Sequence, residues 1–321
     1  MKARQRPVKA ALRNSRIVKP AGPATFYRHA PELRRAVNRL RHIAMRECGR
    51  AGIGKVALLL VVPGPDGIPL GAGSRSAVPL YPASVVKLFY LAAVQAWLAR
   101  RGLDRTPELS RALDAMIRQS SNDATSYVVD LLTGTTSGPE LPRSALRKWL
   151  RRRGAVQRYF EGWHWPEFRA IRVTQKTWEE SPYGREQQSR VLVRNNRNRL
   201  TADAVARLLW AIDSGEVVSP KACREMRALM RRRLDLRDKR RHTDNQIDGF
   251  FGQGLPADAQ LWSKAGWTSD SRHDAAVVRL ASGRRFILVA LTEGRKLAEN
   301  VRLLPALARE AAKLVEQMPL G

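Results

Sequence analysis

The chain has 321 residues, 44% of them apolar, which is enough for one large domain or two closely joined ones. Its 58 Lys and Arg against 29 Asp and Glu give a formal charge of +29, so polyanions are attracted to it. Two cysteines far apart, Cys48 and Cys223, exclude a disulfide framework or a cysteine metal cluster, and no apolar run is long enough to span a bilayer.

Residues 1–29 are basic and contain proline but no apolar stretch of secretory length, so they are expected to form a disordered tail outside the fold, with the cytoplasm as the default compartment. A helix is predicted from Pro31 to Cys48, followed by a buried strand over 55–62 and a turn at Pro63-Gly64-Pro65-Asp66-Gly67. A second strand or loop runs toward Pro79. From Ser84 to Gly215 the pattern is helical with long irregular gaps, and a further helix is predicted over 219–234, ending in Arg231-Arg232-Arg233. Three strands follow, over 259–265, 274–281 and 285–292, with Ser282-Gly283 as a hairpin turn. One closing amphipathic helix, 295–318, would lay Leu297, Val301, Leu304, Leu307, Ala311 and Leu314 on the sheet. Two early strands and three late ones around a helical insertion give an α+β fold. Its five-stranded, mostly antiparallel sheet is flanked by N- and C-terminal helices (30–83 and 248–321), an all-α lobe (84–247) is inserted, and a cleft lies between the lobes.

Three short motifs carry chemistry. In Tyr81-Pro82-Ala83-Ser84-Val85-Val86-Lys87, Ser84 and Lys87 stand three apart at the head of an apolar helix, so both fall on one helical face. A serine hydroxyl attacks carbonyls only with a base in reach, and burial makes a lysine amine easier to deprotonate. The same pair also fits a helix cap beside a lysine that snorkels to water. Ser120-Ser121-Asn122 brings a hydroxyl and an amide, or simply starts the next helix. Lys264-Ala265-Gly266 ends a strand with a glycine that permits close backbone approach.

The order Ser-x-x-Lys, Ser-x-Asn, Lys-x-Gly resembles the class A β-lactamases and penicillin-binding proteins, a family of penicillin-recognising serine acyl-transferases. The resemblance implies a β-lactamase/transpeptidase-like fold. It implies Ser84 as the acylated nucleophile, Lys87 as its activating amine, and Ser120 as the proton donor to the leaving nitrogen. Asn122 and Lys264 would bind substrate, Gly266 would let β-strand and substrate approach, and the N–H groups of Ser84 and Trp267 would form the oxyanion hole. Ala265 departs from the usual Thr or Ser, and Thr268 or Ser269 is the expected substitute. For deacylation the resemblance calls for a glutamate on the loop before Thr201. Glu179, Glu180 and Glu186 lie there, and Glu186 has the best-matching distance.

Without such a base the chain would behave as a penicillin-binding, D-Ala-D-Ala peptidase-like or esterase acyl-transferase. A reading of another class is a non-catalytic, basic polyanion-binding protein on the same fold. Basic clusters occur at 151–153, 231–233 and Lys239-Arg240-Arg241, but the charge is scattered and no recognition-helix, zinc-finger or RNA-binding-sheet signature accompanies it. Contacts with anionic surfaces are therefore expected to be non-specific, and the expected substrate is a small molecule or peptide. His42, His164, His242 and His273, with Asp244, Asp248, Asp270 and Asp274, lack metal-ligand spacing, so no metal or cofactor is expected. The family implied by the resemblance usually works in the periplasm or outside the cell, in conflict with the missing export signal.

Overall fold

The computed structural model describes residues 25–53, 55–193, 196–234 and 246–318, the side chains at 48 and 50–53 excepted. Most of the N-terminal tail, Lys239-Arg240-Arg241, His242, Asp244 and the Cys48 side chain lie outside the described residues.

Among the described residues the sheet has seven strands, in the order β1-β3-β2-β7-β6-β5-β4. They are β1 (Arg28–His29), β2 (Val56–Val62), β3 (Leu70–Ser74), β4 (Arg231–Arg232), β5 (Gln260–Thr268), β6 (Ser271–Arg279) and β7 (Arg285–Thr292). The five long strands are the expected ones. The two additions are two-residue strands at the sheet edges, too short to show a period of two in sequence. All pairings are antiparallel except β1 with β3. Part of the expected tail therefore belongs to the fold: Tyr27 is buried, and the Phe26 N–H donates to Glu167 Oε1 at 2.7 Å.

The helices are α1 (Pro31–Ile53), α2 (Lys87–Arg101), α3 (Pro107–Arg118), α4 (Asn122–Thr133), α5 (Arg143–Arg153), α6 (Ala155–Glu161), α7 (Gly184–Leu192), α8 (Ala202–Ser214), α9 (Pro220–Met230), α10 (Phe251–Gly254), α11 (Arg295–Glu299) and α12 (Leu303–Gln317). Strand alternation splits the core into two layers. In β2, Ala57, Leu59 and Val61 face α2 and α8, whereas Leu58 and Leu60 face α1 and α12. None of the described helices is long and apolar enough to cross a membrane.

Two predicted helices are shorter than expected. The 219–234 helix stops at Met230 because Arg231 and Arg232 pair with Trp262 and Leu261 in β5. The closing helix breaks at Asn300, whose Oδ1 accepts from the N–H groups of Arg302 and Leu303 and so fixes the turn that leads into α12. Val301 falls in the break and is exposed instead of packing on the sheet.

Candidate active site

Ser84 lies in a 3₁₀ turn, Ala83–Val86, that leads directly into α2. The turn begins with strain: Ala83 has φ +43°, a region that non-glycine residues occupy at a cost of about 1–3 kcal/mol. Ser120, between α3 and α4, has φ +60°. Two strained residues thus flank one spot.

Lys87 is fully buried at the start of α2, between the equally buried Val86 and Leu88 in sequence. Its Nζ donates to Asn122 Oδ1 at 2.8 Å, to Ser120 Oγ at 3.2 Å and to the Ser120 carbonyl. Burial pushes the amine down to about 7, with the Glu179 carboxylate working against the shift. The cap of α4 is Ser121, whose hydroxyl accepts from the Ala124 N–H at 3.1 Å. That leaves Ser120 and Asn122 free of the capping role that the sequence allowed them.

From the sheet side, Lys264 Nζ donates to Ser120 Oγ at 2.9 Å, to Gln246 Oε1 at 2.8 Å and to the Ala265 carbonyl at 2.8 Å. Burial, then the neighbouring Lys87 and Arg232 cations, hold this amine well below its ordinary range. One hydroxyl, that of Ser120, thus receives hydrogen bonds from two buried lysines. The Ser84 hydroxyl has no hydrogen-bond partner among the described residues, so Lys87 is seen bonded to Ser120 and Asn122, not to Ser84.

Gly266 explains how β5 reaches the Ser84 turn. A Cβ at 266 would sit 2.9 Å from Ser84 N and 3.0 Å from both Pro82 O and Val85 N, so only glycine fits without moving backbone. Beyond Trp262 the described β4 offers β5 no further strand partner, and past that point the Ala265 N–H is met by the Gln246 side chain instead. Trp267 follows at once and is 38% exposed, its ring against Phe250.

His273 holds the turn from behind. Its Nδ1 accepts from the Thr292 N–H at 2.9 Å, so Nε2 carries the proton and donates to the Tyr81 carbonyl at 2.8 Å. Burial lowers this ring to about 4 and keeps it neutral. Among the described residues no three His, Cys, Asp or Glu side chains are grouped to hold a metal ion.

The loop glutamates separate cleanly. Glu186 is 1% exposed and bonded to Arg153 and, at 2.9 Å, to Ser137 Oγ, in a network where Arg153 and Lys176 both meet Asp130. A buried carboxylate needs such partners, and among the described residues Glu186 has no hydrogen bond to Lys87 or Lys264. Glu179 is the one brought in: its Oε1 accepts from Asn122 Nδ2 at 2.8 Å, so Asn122 links Lys87 to Glu179.

Thr268 and Ser269 are also not brought to the site. Both hydroxyls belong to the β5–β6 turn, Thr268 with Ser271 Oγ at 2.9 Å and the Asp270 N–H at 3.1 Å, Ser269 with Asp270 Oδ2 at 3.4 Å. Ala265 is fully buried in the α1/α12 layer.

Two residues here were not expected at the site: Gln246, which carries no sequence signal, and Arg232, which in sequence belongs to a basic cluster and is buried in the structure. Gln246 Oε1 accepts from Lys264, from the Ala265 N–H at 3.2 Å and from Arg232 Nη2 at 3.2 Å, while its Nε2 donates to the Ile117 and Arg118 carbonyls. Arg232, lowered to about 10 by burial, stands behind it.

The Beta-lactamase enzyme family profile matches residues 70–315, more than three quarters of the chain and all three motifs. The chain belongs to the β-lactamase enzyme family. Solved structures give the same architecture. A β-lactamase from Sphaerobacter thermophilus superposes with a TM-score of 0.61 over 88% of this chain and 98% of its own, at 15% identity. A β-lactamase from Xanthomonas campestris does so at 0.61 over 87% and 98%, at 18% identity. PBP-A, as the acyl-enzyme complex of a point mutant with penicillin G, gives 0.62 over 91% and 98%, at 15% identity. These identities speak for the β-lactamase fold alone. No protein of curated function matches the chain.

Proposed function

We propose that this member of the β-lactamase family is a serine hydrolase that opens an amide, a β-lactam first of all, through an acyl-Ser84 intermediate. The observation that supports it most is the Ser120 hydroxyl held by Lys87 and Lys264 beside a serine whose own hydroxyl is unengaged.

In this reading Ser84 Oγ attacks the carbonyl carbon and its proton passes to Lys87, whose amine is substantially neutral near pH 7. The N–H groups of Ser84 and Trp267 take the developing oxyanion, donors of a kind worth on the order of 100- to 1,000-fold in rate. When the tetrahedral intermediate collapses, the ring nitrogen leaves with a proton from Ser120 Oγ, which Lys87 or Lys264 replaces. Asn122 positions the substrate's amide. Deacylation is assigned to Glu179, which takes a proton from the attacking water; as the Ser84 ester breaks, that proton passes on to Ser84 Oγ and restores the free serine and the carboxylate. Glu186 then serves as a tether of the loop, its carboxylate committed to Arg153 and Ser137. With Ala265 lacking a hydroxyl, the positive potential left to attract a substrate carboxylate is that of Arg232, lowered only to about 10 and still charged near pH 7 behind Gln246.

A fluorescent penicillin tests the assignment. The native protein is expected to carry the label through denaturing electrophoresis and Ser84→Ala to carry none. Equal labelling of both proteins would overturn it.

A further inference from the structure

Gln246 is an uncharged side chain set among charged ones, and both ends of its amide are engaged. It is 2% exposed. Its Oε1 accepts from Lys264 Nζ at 2.8 Å, and from Arg232 Nη2 and the Ala265 N–H at 3.2 Å each. Its Nε2 donates to the Arg118 carbonyl at 2.7 Å and to the Ile117 carbonyl at 3.2 Å. The backbone has φ +52°, a sparsely populated conformation that persists in a non-glycine residue only where its surroundings hold it.

Three donors face one end of the side chain and two carbonyls face the other, a set that calls for an amide and fixes which end is the oxygen. These partners belong to two separate elements. Ile117 and Arg118 end α3, two residues before Ser120, whereas Lys264 and Ala265 lie in β5. The amide therefore ties the end of α3 to β5, next to the 2.9 Å hydrogen bond from Lys264 Nζ to Ser120 Oγ that spans the same gap.

Gln246 also orients the hydrogens of Lys264. Its Oε1 and the Ala265 carbonyl, each 2.8 Å from Nζ, can only accept, so each takes one hydrogen. The remaining position on the nitrogen points at Ser120 Oγ, as a hydrogen when the amine is charged and as a lone pair when it is neutral. In either state the amine and the hydroxyl are aligned to share one proton. We propose that Gln246 is a positioning residue for acyl transfer, which sets the Lys264 amine on the Ser120 hydroxyl and so aligns the group that protonates the leaving nitrogen. The role rests on the proposed function, where Ser120 is that proton donor.

Gln246→Met is the first test, because methionine has a similar length and makes none of these hydrogen bonds. Arg232 still donates to the Ile117 and Arg118 carbonyls in this variant, so the end of α3 stays satisfied. Stopped-flow acylation by a chromogenic cephalosporin is resolved into a dissociation constant and a limiting rate. The limiting rate is expected to fall about tenfold, the worth of one hydrogen bond to a charged group, with the dissociation constant within about threefold of native. In a Ser120→Ala background the same substitution should change the residual rate less than about twofold, since the hydroxyl it serves is gone. An equal loss in both backgrounds would reduce Gln246 to a structural residue and overturn the proposal.

A second readout does not depend on acylation. In nuclear magnetic resonance of protein carrying isotope-labelled lysine, the Lys264 Cε signal, identified by its loss in Lys264→Met, is followed against pH. Lys87, Arg232 and Asp274 act on this amine in every variant. The Gln246 oxygen favours its charged form, so Gln246→Met should titrate at lower pH than native, and Gln246→Glu, which keeps an acceptor and adds a negative charge, at higher pH. Coincident titrations in the three folded proteins would overturn the proposal whether or not the chain is acylated. A native chain that takes no acyl group while Lys264 shifts as expected would contradict the proposed function and still support Gln246 as the residue that positions Lys264.

Discussion

At the scale of single residues, the account turns on what surrounds the Lys87 amine. Desolvation brings it to about 7 while Glu179 opposes that fall. Acylation needs the neutral amine, so its rate is expected to rise between about pH 5 and pH 8 with a midpoint near 7, read from stopped-flow acylation by a chromogenic cephalosporin. Glu179→Gln removes the opposing charge, so the midpoint should move to lower pH; a midpoint that moved up would place the titration elsewhere. Stability is linked in the same direction. Between about 7 and 10.5 the unfolded chain binds a proton at Lys87 that the folded chain does not, so this lysine's destabilising effect is full below pH 7 and fades as pH rises through that window. Gly266 is a second pressure point. Gly266→Ala would drive a methyl into the backbone at Ser84 and Pro82, and a displacement of even an ångström there is expected to slow acylation about 100-fold. Unchanged acylation with an unchanged melting temperature would contradict the close approach of β5.

At the scale of elements, the deciding network ties α4, α5 and α7 together. Arg153 of α5 is 2% exposed and meets Glu186 of α7 and Asp130 of α4. Arg153→Ala would strand a buried Glu186 carboxylate and is expected to cost about 3–5 kcal/mol, measured by denaturant unfolding. Glu186→Gln keeps a hydrogen-bonding partner for Arg153, so it should lose less stability and still turn over substrate. Abolished turnover with intact folding would instead return the deacylation role to Glu186. The sequence favoured Glu186 because loop spacing was the available guide. It could not show that Arg153, 33 residues earlier, would claim that side chain, since the contact exists only after α5 packs against α7. Gln246 was invisible for the same reason: its Oε1 accepts from β4 and β5 while its Nε2 donates to the end of α3, and nothing in a lone glutamine announces it. β2 and β7 were legible as bounded apolar runs, β3 with its two glycines was left as strand or loop, and the two-residue edges β1 and β4 were not legible, because two residues have no pattern.

At the scale of the whole molecule, three motifs separated by 33 and then 144 residues from Lys87 to Ser120 to Lys264 meet at one hydroxyl, and the sheet's two layers are what hold them there. Leu59 shows the dependence: it is fully buried in the layer that carries α2, and Leu59→Ala is expected to lose about 2–5 kcal/mol in denaturant unfolding. The convergence itself was readable from motif order, whereas the registry of side chains within it was not. The most direct check of the central claim is intact-protein mass spectrometry over time with benzylpenicillin. The native chain is expected to show one covalent adduct that forms and decays, Glu179→Gln the same adduct persisting, and Ser84→Ala no adduct. An adduct on Ser84→Ala, or none on the native chain at any pH between about 6 and 9, would contradict the acyl-serine account.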